Sequence, residues 1–273
     1  MPLHLRVLHV PECDVRPRAV PARGAEMGRT QSAGQNATRR RTAPLMYKNH
    51  AVTLVLPCLN EEAGLAAMLP RVPPVVDAVV VVDNNSTDDS AAVAERLGAR
   101  VLREPRPGYG AAYRAGFAAV PSGVIVTMDA DDTYPLHAVP DMVARLVDSD
   151  LDFITVRRMH VNWERSAELI AKFIGKKILD FTASLLFFRW INDTQSGMWC
   201  FRREILDRVN LTANGMTMSE EIKLEAFARK DIKAEEVPVK YQYRKRLGRV
   251  KLNMFRDGFI NWVFLFKKRL ELL

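Results

Sequence analysis

Asp129, Asp131 and Asp132 place three carboxylates within four positions, directly after the run Val124-Ile125-Val126-Thr127-Met128. Acids so close repel one another unless a cation lies among them. A divalent cation with oxygen ligands, Mg²⁺ or Mn²⁺, is the natural partner, and such an ion is most often there to hold phosphates. The preceding run of β-branched and apolar residues predicts a buried strand. In an open α/β sheet the C-terminal strand edge is where ligands bind. Asp83 closes a second such run, where a carboxylate can accept hydrogen bonds from a base or a ribose.

The elements that must position these acids alternate. Val52–Leu56 is a predicted strand, followed by a helix from about Glu61 to Leu69. Val75–Val82 is a nearly continuous valine run, the pattern of a strand buried on both faces. Ser86 or Thr87 can cap a helix carrying Ala91, Val93, Ala94 and Leu97, with Gly98 closing it. Ala99–Leu102 and Val124–Met128 are further strands, and Gly108-Tyr109-Gly110 opens a helix between them. This alternation predicts an α/β fold with a mainly parallel sheet and helices on both faces.

Later come a strand at Leu151–Val156, a long helix from Trp163 to about Phe188, a polar loop Asn192–Gly197 and a strand Met198–Phe201. A helix Met218–Arg229, a strand Ala234–Tyr243 and a C-terminal amphipathic helix complete the pattern. That last helix gathers Phe255, Phe259, Trp262, Phe266 and Leu270 on one face and sets Lys267, Lys268 and Arg269 opposite.

The formal charge of the 273 residues is +8, and it is unevenly spread. Residues 1–45 hold eight arginines against Glu12, Asp14 and Glu26, and read as a disordered basic extension. Residues 240–273 hold ten lysines and arginines against Asp257 and Glu271. Basic ends on a mildly acidic body suit nucleic acid, an anionic membrane surface or a phosphorylated substrate. Three scattered cysteines, Cys13, Cys58 and Cys200, point to a reducing compartment. The longest apolar runs, Phe181–Phe188 and Phe259–Phe266, are far below the roughly 18–20 residues of a membrane span.

Four segments fall at strand ends or helix starts: Pro57-Cys58-Leu59-Asn60-Glu61-Glu62, Val82-Asp83-Asn84-Asn85-Ser86-Thr87-Asp88, Pro107-Gly108-Tyr109-Gly110-Ala111-Ala112 and Asp129-Ala130-Asp131-Asp132. In this order and spacing they resemble the family 2 glycosyltransferases of GT-A fold, over residues 51–250. The second half is similar to the polyprenyl-phosphate sugar synthases of the dolichyl-phosphate mannose synthase type. The matching segments are Asp193-Thr194-Gln195-Ser196-Gly197, Phe201-Arg202-Arg203-Glu204, Glu236-Val237-Pro238-Val239 and Arg244–Leu252.

The resemblance implies inverting transfer of a sugar from a nucleotide-diphosphate sugar to a polyprenyl phosphate. It implies Asp131 and Asp129 as the metal pair, with Asp131 the catalytic ligand and Asp129 shared with the donor beside Ala130. Pro57, Leu59, Glu61, Asp83 and Asn85 match donor-contacting positions, and Arg246 and Lys251 would clamp the diphosphate. Arg157 and Lys172 match acceptor-phosphate positions, and Arg158 adjoins the first. Asp193 would orient the acceptor, or act as a base if the acceptor were a hydroxyl. Glu220 and Glu221 fall where the family places one acid, and helical neighbours diverge, so at most one faces the site. Asp132 either joins the acids or caps the next helix.

Several positions depart from the family pattern. Asp83-Asn84-Asn85 stands for Asp-Asp-Gly, and asparagine tolerates the left-handed turn that glycine would supply. Leu59 replaces a common aromatic, Ala171 and Val250 replace serines, and Thr155-Val156 precedes Arg157.

Elementary chemistry agrees with the implied reaction. Breaking a sugar–diphosphate bond builds negative charge on the leaving phosphate, which a metal ion can neutralise. An acceptor phosphate is already ionised and needs no general base. The two aromatic helices pack either into a core or against lipid headgroups. The expected place is the cytosolic membrane face, in peripheral contact with anionic lipid or a membrane partner and without nucleic acid. The organisation expected is an extension over 1–45, a catalytic domain over 46–250 and a C-terminal helix over 251–273. Competing functions are a glycosyltransferase with a soluble hydroxyl acceptor such as a sugar or glycerate, a nucleotidyltransferase, and a non-catalytic binding module.

Overall fold

Valine-rich runs form the centre of a seven-stranded sheet. The computed structural model describes residues 46–161, 167–242 and 254–272. Its strands are β1 (Val52–Cys58), β2 (Ala78–Asp83), β3 (Arg100–Arg103), β4 (Val124–Thr127), β5 (Phe153–Val161), β6 (Trp199–Arg202) and β7 (Ala234–Gln242). They lie in the order β3-β2-β1-β4-β6-β5-β7. Pairing is parallel throughout except at β6, which runs against both β4 and β5.

The helices are α1 (Glu62–Met68), α2 (Ser90–Arg96), α3 (Tyr109–Ala118), α4 (Val139–Asp148), α5 (Ala167–Phe187), α6 (Met218–Ala228) and α7 (Met254–Glu271). Side chains alternate across a strand, so β1 feeds two cores. Leu54 and Leu56 pack on one face with Leu65, Val93 and Met142 of α1, α2 and α4. Val55 packs on the other with Tyr113 and Phe117 of α3 and Ile222 of α6. Burial on both faces is why these strands read as unbroken apolar runs. A third cluster joins Leu179, Ala183 and Phe187 of α5 to Leu224 of α6 and Leu265 of α7.

β1 runs through Pro57 to Cys58, two residues past its predicted end, and two other strands differ from their predicted limits by three residues or more. β2 starts at Ala78 rather than Val75, because Pro73 accepts from the Val76 N–H in a turn before the ladder begins. β5 runs on to Val161 because β7 pairs with it to the end, Val161 opposite Gln242. The predicted start of the long helix, 162–166, lies outside the described residues, as do residues 1–45.

The reversal at β6 decides the site. A strand running backwards through a parallel sheet presents its preceding loop at the edge where its neighbours end. Residues 192–197 therefore lie next to the C-terminal end of β4 and the later part of β5, on the same sheet edge where β1 and β2 end.

Candidate active site

The segments after β1 and β2 are bonded into one unit. The Asn84 N–H donates to the Cys58 C=O at 2.8 Å, and the Asn60 N–H to Ser86 Oγ at 2.9 Å. The Glu61 N–H donates to Ser90 Oγ at 2.8 Å, and the Thr87 N–H to Asn60 Oδ1 at 2.7 Å. Asn60 and Asn85 hold the tight turns at φ 51° and 68°, in the left-handed region asparagine tolerates. Asp83 Oδ1 accepts the Ser86 N–H at 3.0 Å.

Asn84 explains its own departure from an acid. Its Nδ2 donates to the C=O groups of Glu104 and Arg106, and its Oδ1 accepts the Gly108 N–H at 2.7 Å. A carboxylate could make only the last of these bonds. A cavity of about 350 Å³ opens alongside, lined by Asp83, Asn85, Ser86, Asp88, Arg103 and Glu104 among others. Leu59 is exposed on the same segment, whereas Pro57 and Glu61 are buried.

The acid loop is fixed from three sides. The Tyr109 hydroxyl, on the first turn of α3, donates to Asp129 Oδ1 at 2.8 Å. Burial, and then the Asp129 charge, push the Tyr109 phenol upward, so it stays a donor. Asp131 is buried, and its Oδ1 accepts from the Thr133 N–H at 3.1 Å and hydroxyl at 2.7 Å. Asp132, at φ 60°, pairs with Arg71, while the short turn Leu136–Ala138 and α4 start from Pro135 and Ala138. On α1, a Cβ at Gly64 would lie 2.2 Å from the Ala130 C=O, so the helix and the acid loop meet backbone to backbone. A Cβ at Gly197 would lie 2.4 Å from the Tyr109 hydroxyl and 3.2 Å from Asp129 Oδ1, which puts loop 192–197 against the same acids.

The basic side is organised around Asp193, which is fully buried. Arg158 grips it with both teeth, Nε to Oδ2 at 2.8 Å and Nη2 to Oδ1 at 2.9 Å, and adds its backbone N–H at 3.0 Å. Lys176 of α5 stands 3.4 Å from Oδ1. Burial pushes the Asp193 carboxyl up, but Arg158, then Lys176 and Lys223, outweigh it and hold the carboxyl well below the usual range. Lys223 donates to the C=O groups of Asp193 and Thr194 at 2.8 and 2.9 Å, and burial pushes its ammonium down to about 7. Asp180 Oδ1 receives the Thr194 N–H and hydroxyl, and Glu236 receives the N–H groups of Asn192 and Asp193.

Of the predicted residues, Pro57, Leu59, Glu61, Asp83, Asn85, Asp129, Ala130, Asp131 and Asp193 thus lie along one sheet edge. Arg157 follows on β5, half-buried, with no carboxylate partner among the described residues. Strand alternation turns it away from the side where Arg158 is engaged. Lys172 lies on the first turns of α5, and its side chain is outside the description, as are Arg246 and Lys251 altogether. Glu220 and Glu221 are both buried and diverge. Glu220 bonds Gln195 in the site loop, and Glu221 accepts the N–H groups of Thr212 and Ala213. Tyr109, Lys176 and Lys223 had no assigned role in the sequence, because only tertiary contact turns an ordinary tyrosine or lysine into a fixed donor.

The family model for glycosyl transferase family 2 matches residues 53–209, more than half of the chain. The chain belongs to glycosyl transferase family 2. Within that family it is 31% identical over 216 residues to a dolichyl-phosphate hexose transferase of Haloferax volcanii, covering 78% of this chain and 91% of that one. It is 50% identical over 111 residues to an uncharacterized glycosyltransferase of Mycobacterium tuberculosis, covering 41% of this chain. That match spans about half the length of the mycobacterial relative. In structure it resembles a glucosyl-3-phosphoglycerate synthase of Mycobacterium tuberculosis solved with Mn²⁺, UDP-glucose and phosphoglyceric acid. The TM-score is 0.64 at 24% identity, with 81% of this chain and 80% of that one covered, and the shared feature is the GT-A-like α/β fold.

Proposed function

We propose that this chain moves a sugar from a nucleotide-diphosphate sugar to a polyprenyl phosphate, working at an anionic membrane surface. In this reading an acceptor phosphate oxygen forms the new bond to the anomeric carbon, and the nucleoside diphosphate leaves from the opposite face. The donor would lie along the segment 57–61, the cavity beside Asp83 and the acid loop, with Arg246 and Lys251 on its diphosphate.

Asp131 and Asp129 suit a hard cation such as Mg²⁺ or Mn²⁺. Among the described residues no group of three or more His, Cys, Asp or Glu side chains gathers around a metal position. Two carboxylates suffice where the substrate supplies further oxygens. When bound, the cation offsets the charge growing on the leaving diphosphate.

The observation that carries the choice of acceptor is the two-sidedness of α5. Its inner face holds the loop of Asp193 through Lys176 and Asp180. Its outer face leaves Ile174, Ile178, Phe181 and Leu185 exposed, and Phe188 follows at 80% exposure. α7 adds exposed Phe259, Trp262, Phe266 and Leu270. Basic groups flank this face: Lys177 over the Phe173 ring, Arg269 over the Phe188 ring, and exposed Lys267 and Arg189. Apolar rings bordered by cations fit the boundary of an anionic bilayer. Among the described residues no helix is long and apolar enough to cross a membrane.

Chemistry at Asp193 favours the same acceptor. A carboxylate bound at both oxygens by Arg158 is a poor proton acceptor, and a phosphate acceptor needs none. Asp193 is then a positioning residue that sets Arg158 and the strand carrying Arg157.

The test is to incubate the chain with Mn²⁺, membranes and a panel of radiolabelled nucleotide sugars. Label is expected in the lipid extract. A labelled water-soluble product with none in lipid would mean a sugar-like or glycerate-like acceptor instead.

A further inference from the structure

α7 turns most of its large apolar residues outward and a mixed stripe of Asn261, Leu265 and Lys268 inward. Asn261, Leu265 and Lys268 are buried, and their spacing of four and three residues makes one stripe of the helix. Lys268 is fully inaccessible. Its ammonium lies 2.7 Å from Glu225 Oε1 and 3.1 Å from Glu221 Oε1, both on α6, and donates to the Asn210 C=O at 2.9 Å. Buried charges are costly unless matched, so this seat is sharply defined. Rolling α7 would strand two acids.

Glu221 passes the contact on. Its Oε2 accepts the N–H groups of Thr212 and Ala213 at 2.9 and 2.8 Å. The next residue, Asn214, offers its C=O to the Gly110 and Ala111 N–H groups at the start of α3, at 2.8 and 3.1 Å. A Cβ on Gly108 would lie 2.2 Å from that same oxygen. Gly108 is bonded to Asn84, and Asn84 to the C=O of Glu104 in the wall of the cavity beside Asp83.

A second arm leaves from Asn261. Its Nδ2 donates to Gln195 Oε1 at 3.1 Å, and Gln195 Nε2 donates to Glu220. Gln195 precedes Ser196 and Gly197, the glycine that lies against Tyr109 and Asp129. Relays of hydrogen bonds from two side chains of one helix thus lead to both margins of the proposed donor site.

We infer that α7 couples a lipid surface to the donor site, with Lys268 and Asn261 as its positioning residues. A surface that takes up the exposed apolar face keeps α7 seated, and the seated helix keeps both loops in their nucleotide-binding form. The inference rests on the lipid-surface reading proposed above. Linkage makes the effect reciprocal, so bound nucleotide strengthens attachment to lipid by the same factor.

The experiment uses the full chain with Mn²⁺ and either UDP or GDP, with and without vesicles of phosphatidylcholine and phosphatidylglycerol. Calorimetry reads nucleotide affinity, and cosedimentation reads vesicle binding. Vesicles are expected to tighten nucleotide binding roughly fivefold or more in the wild type. Lys268→Met and Asn261→Leu are expected to cosediment normally yet lose that gain. Asn261→Leu leaves the buried ion pairs intact and carries the test if Lys268→Met does not fold. Vesicle binding with unchanged nucleotide affinity overturns the coupling and leaves the lipid-surface reading standing. Absence of cosedimentation removes both, a gain retained in both variants overturns the assigned residues, and failure to bind either nucleotide removes the site to be coupled.

Discussion

At the scale of single residues, the two central carboxylates face opposite demands. Asp131 is held by one oxygen to Thr133 at the edge where a donor diphosphate would arrive. Asp131→Asn keeps that bond's geometry but removes the charge. Transfer is expected to fall by roughly 100-fold or more, together with loss of nucleotide-dependent Mn²⁺ binding in a titration. Asp193 is an interior anchor. Its carboxyl is depressed in the folded state, so its contribution is full above the ordinary carboxyl value of about 3.9 and fades as pH falls below it. Asp193→Asn leaves Arg158 buried against a neutral partner, at an expected cost of about 3–5 kcal/mol near pH 7. Denaturant unfolding of both proteins should show that gap closing on acidification. A gap that stayed constant down to pH 2 would mean that the ion pair does not stabilise this loop. Both acids were legible as polar residues at predicted strand or loop ends. The anchoring of Asp193 was not, since its partners lie 35 and 17 positions earlier, at Arg158 and Lys176.

At the scale of elements, close backbone contacts bring the segments together. α1 can approach the acid loop only because Gly64 has no side chain, as the Ala130 C=O fills the space a Cβ would need. Gly64→Ala is expected to destabilise the fold by about 1–3 kcal/mol and to weaken nucleotide binding more than acceptor binding. Thermal unfolding and separate KM values for the two substrates would check both parts. The strands were readable because burial on both faces leaves a valine run that no surface element would carry. The orientation of α7 was not readable. A helical projection set Lys268 with Lys267 and Arg269 on a basic side opposite the aromatic face, yet Lys268 is buried against Glu221 and Glu225. Periodicity shows that two faces differ; it does not say which one meets the body. Glu221 and Glu225, one turn apart on α6, settled that question.

At the scale of the whole molecule, α5 and α7 leave many large apolar side chains exposed outside the three packed cores, Phe181 at 65% and Leu270 at 73% among them. Removing such a side chain from water is worth roughly 1.5–3 kcal/mol, so a surface that covers several binds well. Phe181→Glu with Phe266→Glu is expected to abolish cosedimentation with phosphatidylglycerol vesicles while leaving nucleotide affinity without vesicles near the wild-type value. Raised salt should weaken attachment of the wild type, because the flanking Lys177, Lys267 and Arg269 act through screened charge. By itself the sequence determined the alternation of elements, the mainly parallel sheet and the acid-bearing strand end, because these follow from local periodicity and short-range spacing, and its motifs carried the resemblance to the family. Only the tertiary structure decided that β6 reverses and brings loop 192–197 to the acids. It also decided that Arg158 rather than Arg157 binds Asp193, and that α5 and α7 turn their apolar faces outward. Each of these depends on partners distant in the chain, and local spacing holds no record of them.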